Sequence, residues 1–271
     1  MKVKCFIVLI CLSIETLATA QEFPLGIRAQ ALGGASVAKG REAETLLDNP
    51  ASLASLAGST LTIFYTNPFG LKELRLNSLS ASTNFANSAF GAAFVDFGNA
   101  LYRDRRLHLA VARRFLSAQR LALGVSGALR QLRISGYGDD NAILLNFGTQ
   151  FRVSDTFRFG STLTNLLDAT IGQHQEKLPR SVSFGFAYLP TSALTLQMDV
   201  YKQNDFPEEW RVGIEVNPLP PLLLRLGTGT NPDRLTGGFA LCVFKCSLQF
   251  AAFSHTELGW TEQFAVTLQS K

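Results

Sequence analysis

The chain has 271 residues, a formal net charge of +4 and only 17% charged residues, against 46% hydrophobic residues and 21 Phe. That length suits one large β domain or barrel, and the mild, scattered basic excess forms no stripe of the kind that grips nucleic acid. Beyond the N-terminus no apolar run approaches the ~20 residues of a membrane-spanning helix, so the apolar residues must follow a finer pattern.

Residues 1–20 read MKVKCFIVLICLSIETLATA. Lys2 and Lys4 give a positive start, an apolar run follows, and Ala18-Thr19-Ala20 is a cleavage signal. This predicts an export signal cleaved after Ala20, taking Cys5 and Cys11 with it. Residues 21–59 are crowded with Gly and Ala, including Gly33, Gly34 and Ala35, and contain Asn49-Pro50-Ala51. Asp48-Asn49-Pro50 marks a turn, and Pro50 suits the start of a short helix over 51–56. The segment is too broken for one helix and too irregular for a strand. With Leu46, Leu47, Leu53 and Leu56 it is too apolar to dangle, and its small residues permit close backbone approach. It is expected to tuck into a barrel as a plug rather than to serve as a linker.

From Thr60 onward the chain alternates with period 2, the mark of half-buried strands. Leu107, Leu109 and Val111 oppose His108, Ala110 and Ala112; Trp210, Val212, Ile214 and Val216 oppose Arg211, Gly213, Glu215 and Asn217. One face is large and apolar, the other small or polar with few Lys. A soluble sandwich would carry Lys, Glu and Asp on its outer face; this pattern fits a lipid-facing exterior around a narrow lumen. Fourteen strands are expected, starting near 60, 76, 88, 106, 120, 141, 156, 181, 193, 209, 222, 235, 246 and 259. Their connections largely alternate between long and short, as in outer-membrane barrels with short periplasmic turns and longer external loops. Residues 60–271 are therefore read as an all-β transmembrane antiparallel barrel, and residues 21–59 as its plug. At 243–244 the apolar parity slips by one, which fits a two-residue turn or a bulge in one long strand.

Asp199, Arg211, Glu215 and Arg225 have lumen parity on neighbouring strands. Buried charge is costly unless paired, so these four are expected to form a network inside the barrel or against the plug. Cys242 and Cys246 would face each other across a hairpin, leaving a disulfide and two free thiols both open. His108, His174 and His255 accompany no nucleophile elbow, P-loop, dinucleotide fingerprint or zinc pattern. No catalysis, metal or cofactor is expected.

The order Gly26-Ile27-Arg28-Ala29-Gln30-Ala31-Leu32-Gly33-Gly34-Ala35, then Asn49-Pro50-Ala51, resembles the N-terminus of FadL-like and PorV/PorQ-like outer-membrane barrels. Leu178 to Tyr188, Leu196 to Lys202, Arg211 to Val216, Leu222 to Gly227 and His255 to Trp260 extend the resemblance toward the PorV/PorQ-like branch. It implies a fourteen-stranded barrel with an N-terminal hatch in the outer membrane of a Gram-negative cell. Two functions fit. One is a passive channel for small hydrophobic or amphipathic compounds. The other is a non-transporting platform for secretion or envelope proteins; the short external loops argue mildly against a large external partner but not against a periplasmic one. The expected partners are outer-membrane lipid and a hydrophobic small molecule, with no nucleic acid.

Overall fold

The computed structural model describes residues 25–115, 120–255 and 258–270. The export signal, its cleavage after Ala20 and the first residues of the plug assignment lie outside the described residues. The strands are β1 (Ser59–Thr66), β2 (Leu76–Phe85), β3 (Ser88–Gly98), β4 (Tyr102–Phe115), β5 (Leu121–Ile134), β6 (Gly138–Arg152), β7 (Phe157–Thr164), β8 (Thr170–Ile171), β9 (Glu176–Lys177), β10 (Ser181–Thr191), β11 (Leu194–Gln203), β12 (Glu209–Leu219), β13 (Leu222–Gly229), β14 (Arg234–Val243), β15 (Cys246–His255) and β16 (Gly259–Ser270). Among the described residues, fourteen of them close one antiparallel barrel, and β8 with β9 forms a small separate ladder before β10. Closure runs from Ser59 opposite Ser270 to Thr66 opposite Gln263.

The period of 2 decides which side each residue faces. Leu109, Ile143, Phe184 and Leu226 are each more than 60% exposed, while their strand neighbours Ala110, Ala142, Ser183 and Arg225 are buried. An apolar surface of this extent would drive association in water. Against acyl chains it is at rest, and a closed ladder leaves no unpaired backbone edge in the hydrocarbon. The barrel is thus a transmembrane one.

Two hairpins reach further than the alternation indicates. β4 begins at Tyr102 rather than near Arg106, and β6 at Gly138 rather than near Asn141, so the expected long loops are mostly strand. Charges hide the signal, because here they pair along the ladder. Asp96 accepts from Arg103 Nε at 2.7 Å and from Arg105 Nε at 3.1 Å. Asp104 accepts from Arg106 and Arg130 at 2.9 and 2.8 Å. The parity slip at 243–244 is a turn: Val243 pairs with Cys246, and Phe244 takes the left-handed conformation at φ 53°. That register corrects the disulfide alternative. Cys242 pairs with Ser247, so the two cysteines point to opposite faces of the sheet, and both are free thiols.

If the outer belt lies in hydrocarbon, Leu226→Arg should destabilise the barrel by about 2–4 kcal/mol near the midplane. Leu226→Phe should be nearly neutral. Reversible urea unfolding in lipid vesicles reads the difference.

Candidate functional site

Residues 25–58 fold inside the barrel. α1 (Ile27–Ala31) is a single short turn of helix. The chain then reverses at Gly33 and Gly34, whose φ values of 67° and 92° exclude most side chains. Two 3-10 turns follow, Ala43–Leu47 and Pro50–Ser55; the second replaces the expected helix over 51–56. Asn49 explains the Asn-Pro-Ala sequence. Its Oδ1 caps the turn by accepting from Ala51 N at 3.0 Å. Its Nδ2 donates to Val37 O at 2.7 Å and to Thr149 O of β6 at 3.0 Å.

The wall is thin because this segment lies directly on it. A Cβ on Gly124 would stand 2.7 Å from Ala51 Cα, one on Gly148 2.9 Å from Pro50 Cδ, and one on Gly213 2.7 Å from Leu32 Cβ. Leu46, Leu53 and Leu56 pack on Ala89, Ala93, Ala112 and Ala122. Small lumen residues are therefore occupied space, not an open bore. Ala35 is fully buried, and its carbonyl accepts from Gln197 Nε2 at 3.2 Å.

All four charged residues singled out by parity are buried, at 1–6% exposure, and they meet the segment on one side of the barrel. Glu215 accepts from Arg28 Nε at 3.0 Å and from Arg225 Nε at 2.9 Å. Arg225 also reaches Glu42 at 3.4 Å and Gln249 Oε1 at 2.7 Å. Asp199 Oδ2 accepts the consecutive N–H groups of Ser36 and Val37 at 2.7 and 2.9 Å. Arg211 donates to Glu209 at 2.8 Å and stacks over the Tyr201 ring at 3.9 Å. Glu209 also bonds Arg234, whose Nη2 donates to Gly33 O at 2.9 Å. Sequence reasoning missed Arg28, Glu42, Glu209 and Arg234. Parity extended to the strand ends would have found Glu209 and Arg234. The segment has no periodicity, so nothing marked Arg28 or Glu42.

Burial shifts the segment's own ionisable groups. It pushes the Glu44 carboxyl up to about 8, helped by the Glu42 charge, and that of Asp48 up to about 6. It pulls the Lys39 ammonium down to about 7, with Arg28 adding repulsion. Two cavities lie on either side of the segment. Ser36, Val37, Leu47 and Asp48 line the one toward the long loops, with Leu144, His108, Tyr201 and Arg106 on the wall, and its volume is about 120 Å³. Ala38 and Ser55 line the other. His108 is buried beside the first of these cavities, with neither ring nitrogen hydrogen-bonded. His174 is in the connection before β10 and His255 at the end of β15, where its ring meets Phe69 edge-on at 5.6 Å. The three histidines are thus apart in the chain's architecture, and the structure brings no metal-type cluster together among the described residues.

Removing Glu215 leaves two buried guanidinium groups facing each other. Glu215→Gln should weaken segment docking by about 3–5 kcal/mol, read as faster amide exchange over 27–56 with the barrel strands still protected. A second expectation concerns pH. Glu44 titrates higher in the fold than free, so its neutral form favours the docked state. That contribution is complete below about pH 4.5 and is lost as pH rises through about 8. With the intrinsic pH dependence of amide exchange divided out, the segment's protection factors should therefore fall from pH 5 toward 8, and Glu44→Gln should flatten that fall.

No protein-family profile matches the chain, and no curated relative matches it. Solved structures do. The toluene transporter TbuX of Ralstonia pickettii superposes with a TM-score of 0.68 at 12% identity, covering 91% of this chain and 98% of that one. The CymD monoaromatic hydrocarbon channel gives 0.69 at 12% identity, covering 90% and 97%. A Pseudomonas aeruginosa FadL homologue gives 0.63 at 9% identity, covering 90% and 98%. At such low identity what the chain shares with these proteins is the fold: a FadL-like closed barrel over nearly its whole length.

Proposed function

We propose that the protein is a passive outer-membrane channel for small hydrophobic or amphipathic compounds, with residues 25–58 as its hatch. The short-turn end faces the periplasm and the longer connections face outward. One observation carries this reading. An outward cavity of about 510 Å³ is lined by Leu132, Ile134, Tyr137 and Ile171 together with the polar Asp139, Asp140, Gln173 and His174. Leu132 and Ile171 pack in one cluster with Leu144, and Leu144 lines the buried cavity above the hatch. An apolar solute thus has a continuous series of apolar contacts from the surface to the lumen, in a site of mixed character typical of ligand cavities. On the lipid side, a groove lined by Ala81, Ala92 and Gly127 backs onto Gly91, which touches Leu53 of the hatch. The shared fold with channels named for toluene and monoaromatic hydrocarbons points the same way. The reading contains no catalytic step.

A second reading, a membrane platform for secretion or envelope proteins, draws on the PorV/PorQ-like sequence resemblance and on the hatch being tied to the wall by buried ion pairs. None of the three solved structures above is a PorV/PorQ-like protein by its name.

Uptake of a fluorescent long-chain fatty acid and of a small aromatic into vesicles carrying the purified barrel separates the two. Conduction predicts uptake above empty vesicles, changed by deletion of residues 21–58. Leu144→Trp should slow it about tenfold, the consequence of overpacking the apolar path by ~1–3 kcal/mol. A folded barrel with no uptake of either compound would sink the channel reading and leave the platform.

A further inference from the structure

The cavity toward the long loops is lined by a polar side chain whose hydrogen bonds the fold does not supply. His108 of β4 is 8% exposed, and neither ring nitrogen has a hydrogen-bond partner among the described residues. The charges that act on it, Arg106 and Asp104, are bound to each other at 2.9 Å. A buried polar group left unbonded is costly, and native folds keep few of them.

The cations of the same lining are engaged. Arg106 and Arg130 pair with Asp104, and Arg211 pairs with Glu209. Asp48 of the hatch adds a carboxyl group. An anionic headgroup would therefore meet a carboxyl and paired guanidinium groups, not a cation free to receive it.

Strand register sets the space beside the histidine. The cross-strand partner of His108 is Ala128 of β5, and that of Ala128 is Leu144 of β6. All three line the cavity, with Val37 and Leu47 on the hatch side. Adjacent strands are about 4.8 Å apart, so the backbones of His108 and Leu144 stand about 10 Å apart across the small Ala128 side chain. The cavity volume of about 120 Å³ is of the same order as a pocket of about 150 Å³ that holds one benzene ring.

We infer that this seat binds a compact neutral solute carrying a hydroxyl group, of the phenol class, with its ring over Ala128 against Leu144 and its hydroxyl on His108. A neutral imidazole offers one donor and one acceptor, and a hydroxyl answers either. The terminal torsion of a histidine is broad, so the ring can turn to present a nitrogen to the cavity it lines. A bare hydrocarbon of the same size fills the space but leaves the imidazole unbonded. A site built to bond a hydroxyl discriminates against the analogue that lacks one, which makes His108 the specificity residue of this cavity. The assignment rests on the channel reading for the route by which a solute arrives.

The test is NMR of the full barrel with isotope-labelled histidine rings and leucine methyl groups, titrated with phenol, toluene and benzoate. Phenol should shift the His108 ring nitrogens saturably, leaving those of His174 and His255 unmoved, and toluene should not. Read at the Leu144 methyls, phenol should bind about three- to tenfold more tightly than toluene, the worth of one hydrogen bond. Benzoate should bind more weakly than phenol. In His108→Phe that preference should disappear while toluene still binds, and the variant should melt no lower than the parent because it replaces an unbonded polar ring with an apolar one. Equal affinity for phenol and toluene in the parent, tightest binding by benzoate, or no saturable shift at His108 overturns the inference. Should His108→Phe fail to fold, the His108 ring shifts in the parent decide alone. Vesicle uptake is measured separately. Phenol binding without uptake of any compound counts against the channel reading alone, and toluene uptake without a preference for phenol counts against the His108 seat alone.

Discussion

The structure depends on the pairing of Glu215 with Arg28 and Arg225. A carboxylate this deep is costly to desolvate unless its lone pairs are filled, and two guanidinium groups fill them at 2.9–3.0 Å. One of those groups belongs to the inner segment and the other to the wall. Glu215 and Arg225 pair within the wall, and Arg28 brings the segment's buried charge to the same carboxylate, so these ion pairs fix where the segment docks. Arg225 also reaches Glu42, which lies further along the segment.

Around that anchor the remaining contacts are matters of space and backbone satisfaction. An inner segment without regular structure has peptide groups that must find partners. Asp199 takes two of its N–H groups, while Gln150, Gln197 and Asn49 bond its carbonyls. These bonds form only because wall glycines allow backbone to meet backbone. The lumen therefore has a side held by charge, near β12 and β13, and a side held by apolar contact, where Leu46 and Leu53 meet alanines of β3 to β5. Any motion of the segment would begin on the apolar side, since separating ion pairs in a low dielectric costs more than sliding methyl groups.

The two cavities take their characters from this asymmetry. The outward one joins an apolar cluster through Leu144, a leucine with lumen parity, and collects polar groups such as His108 and Arg106 on its other side. The inward one is ringed by arginines.

Much of the barrel was legible in the chain itself. Strict alternation in segments such as 107–112 and 210–217 encodes strand, face and membrane exposure at once, because a one-residue slip would turn every apolar side chain into the lumen. The same parity placed Asp199, Arg211, Glu215 and Arg225 inside. It failed where strands carry charge on both faces, as at 102–106, since paired charges there extend a ladder that composition reads as loop. It also left Cys242 and Cys246 undecided, because one residue of register at a turn determines whether they face each other. What only the tertiary structure decided is the inner segment: its path, its partners Arg28 and Glu42, and the row of arginines that closure of β5, β6 and β7 brings together. Those residues lie up to nearly two hundred positions apart from their partners, as Arg28 does from Glu215. No local period connects them, and only closure of the barrel around the segment brings such charges into contact.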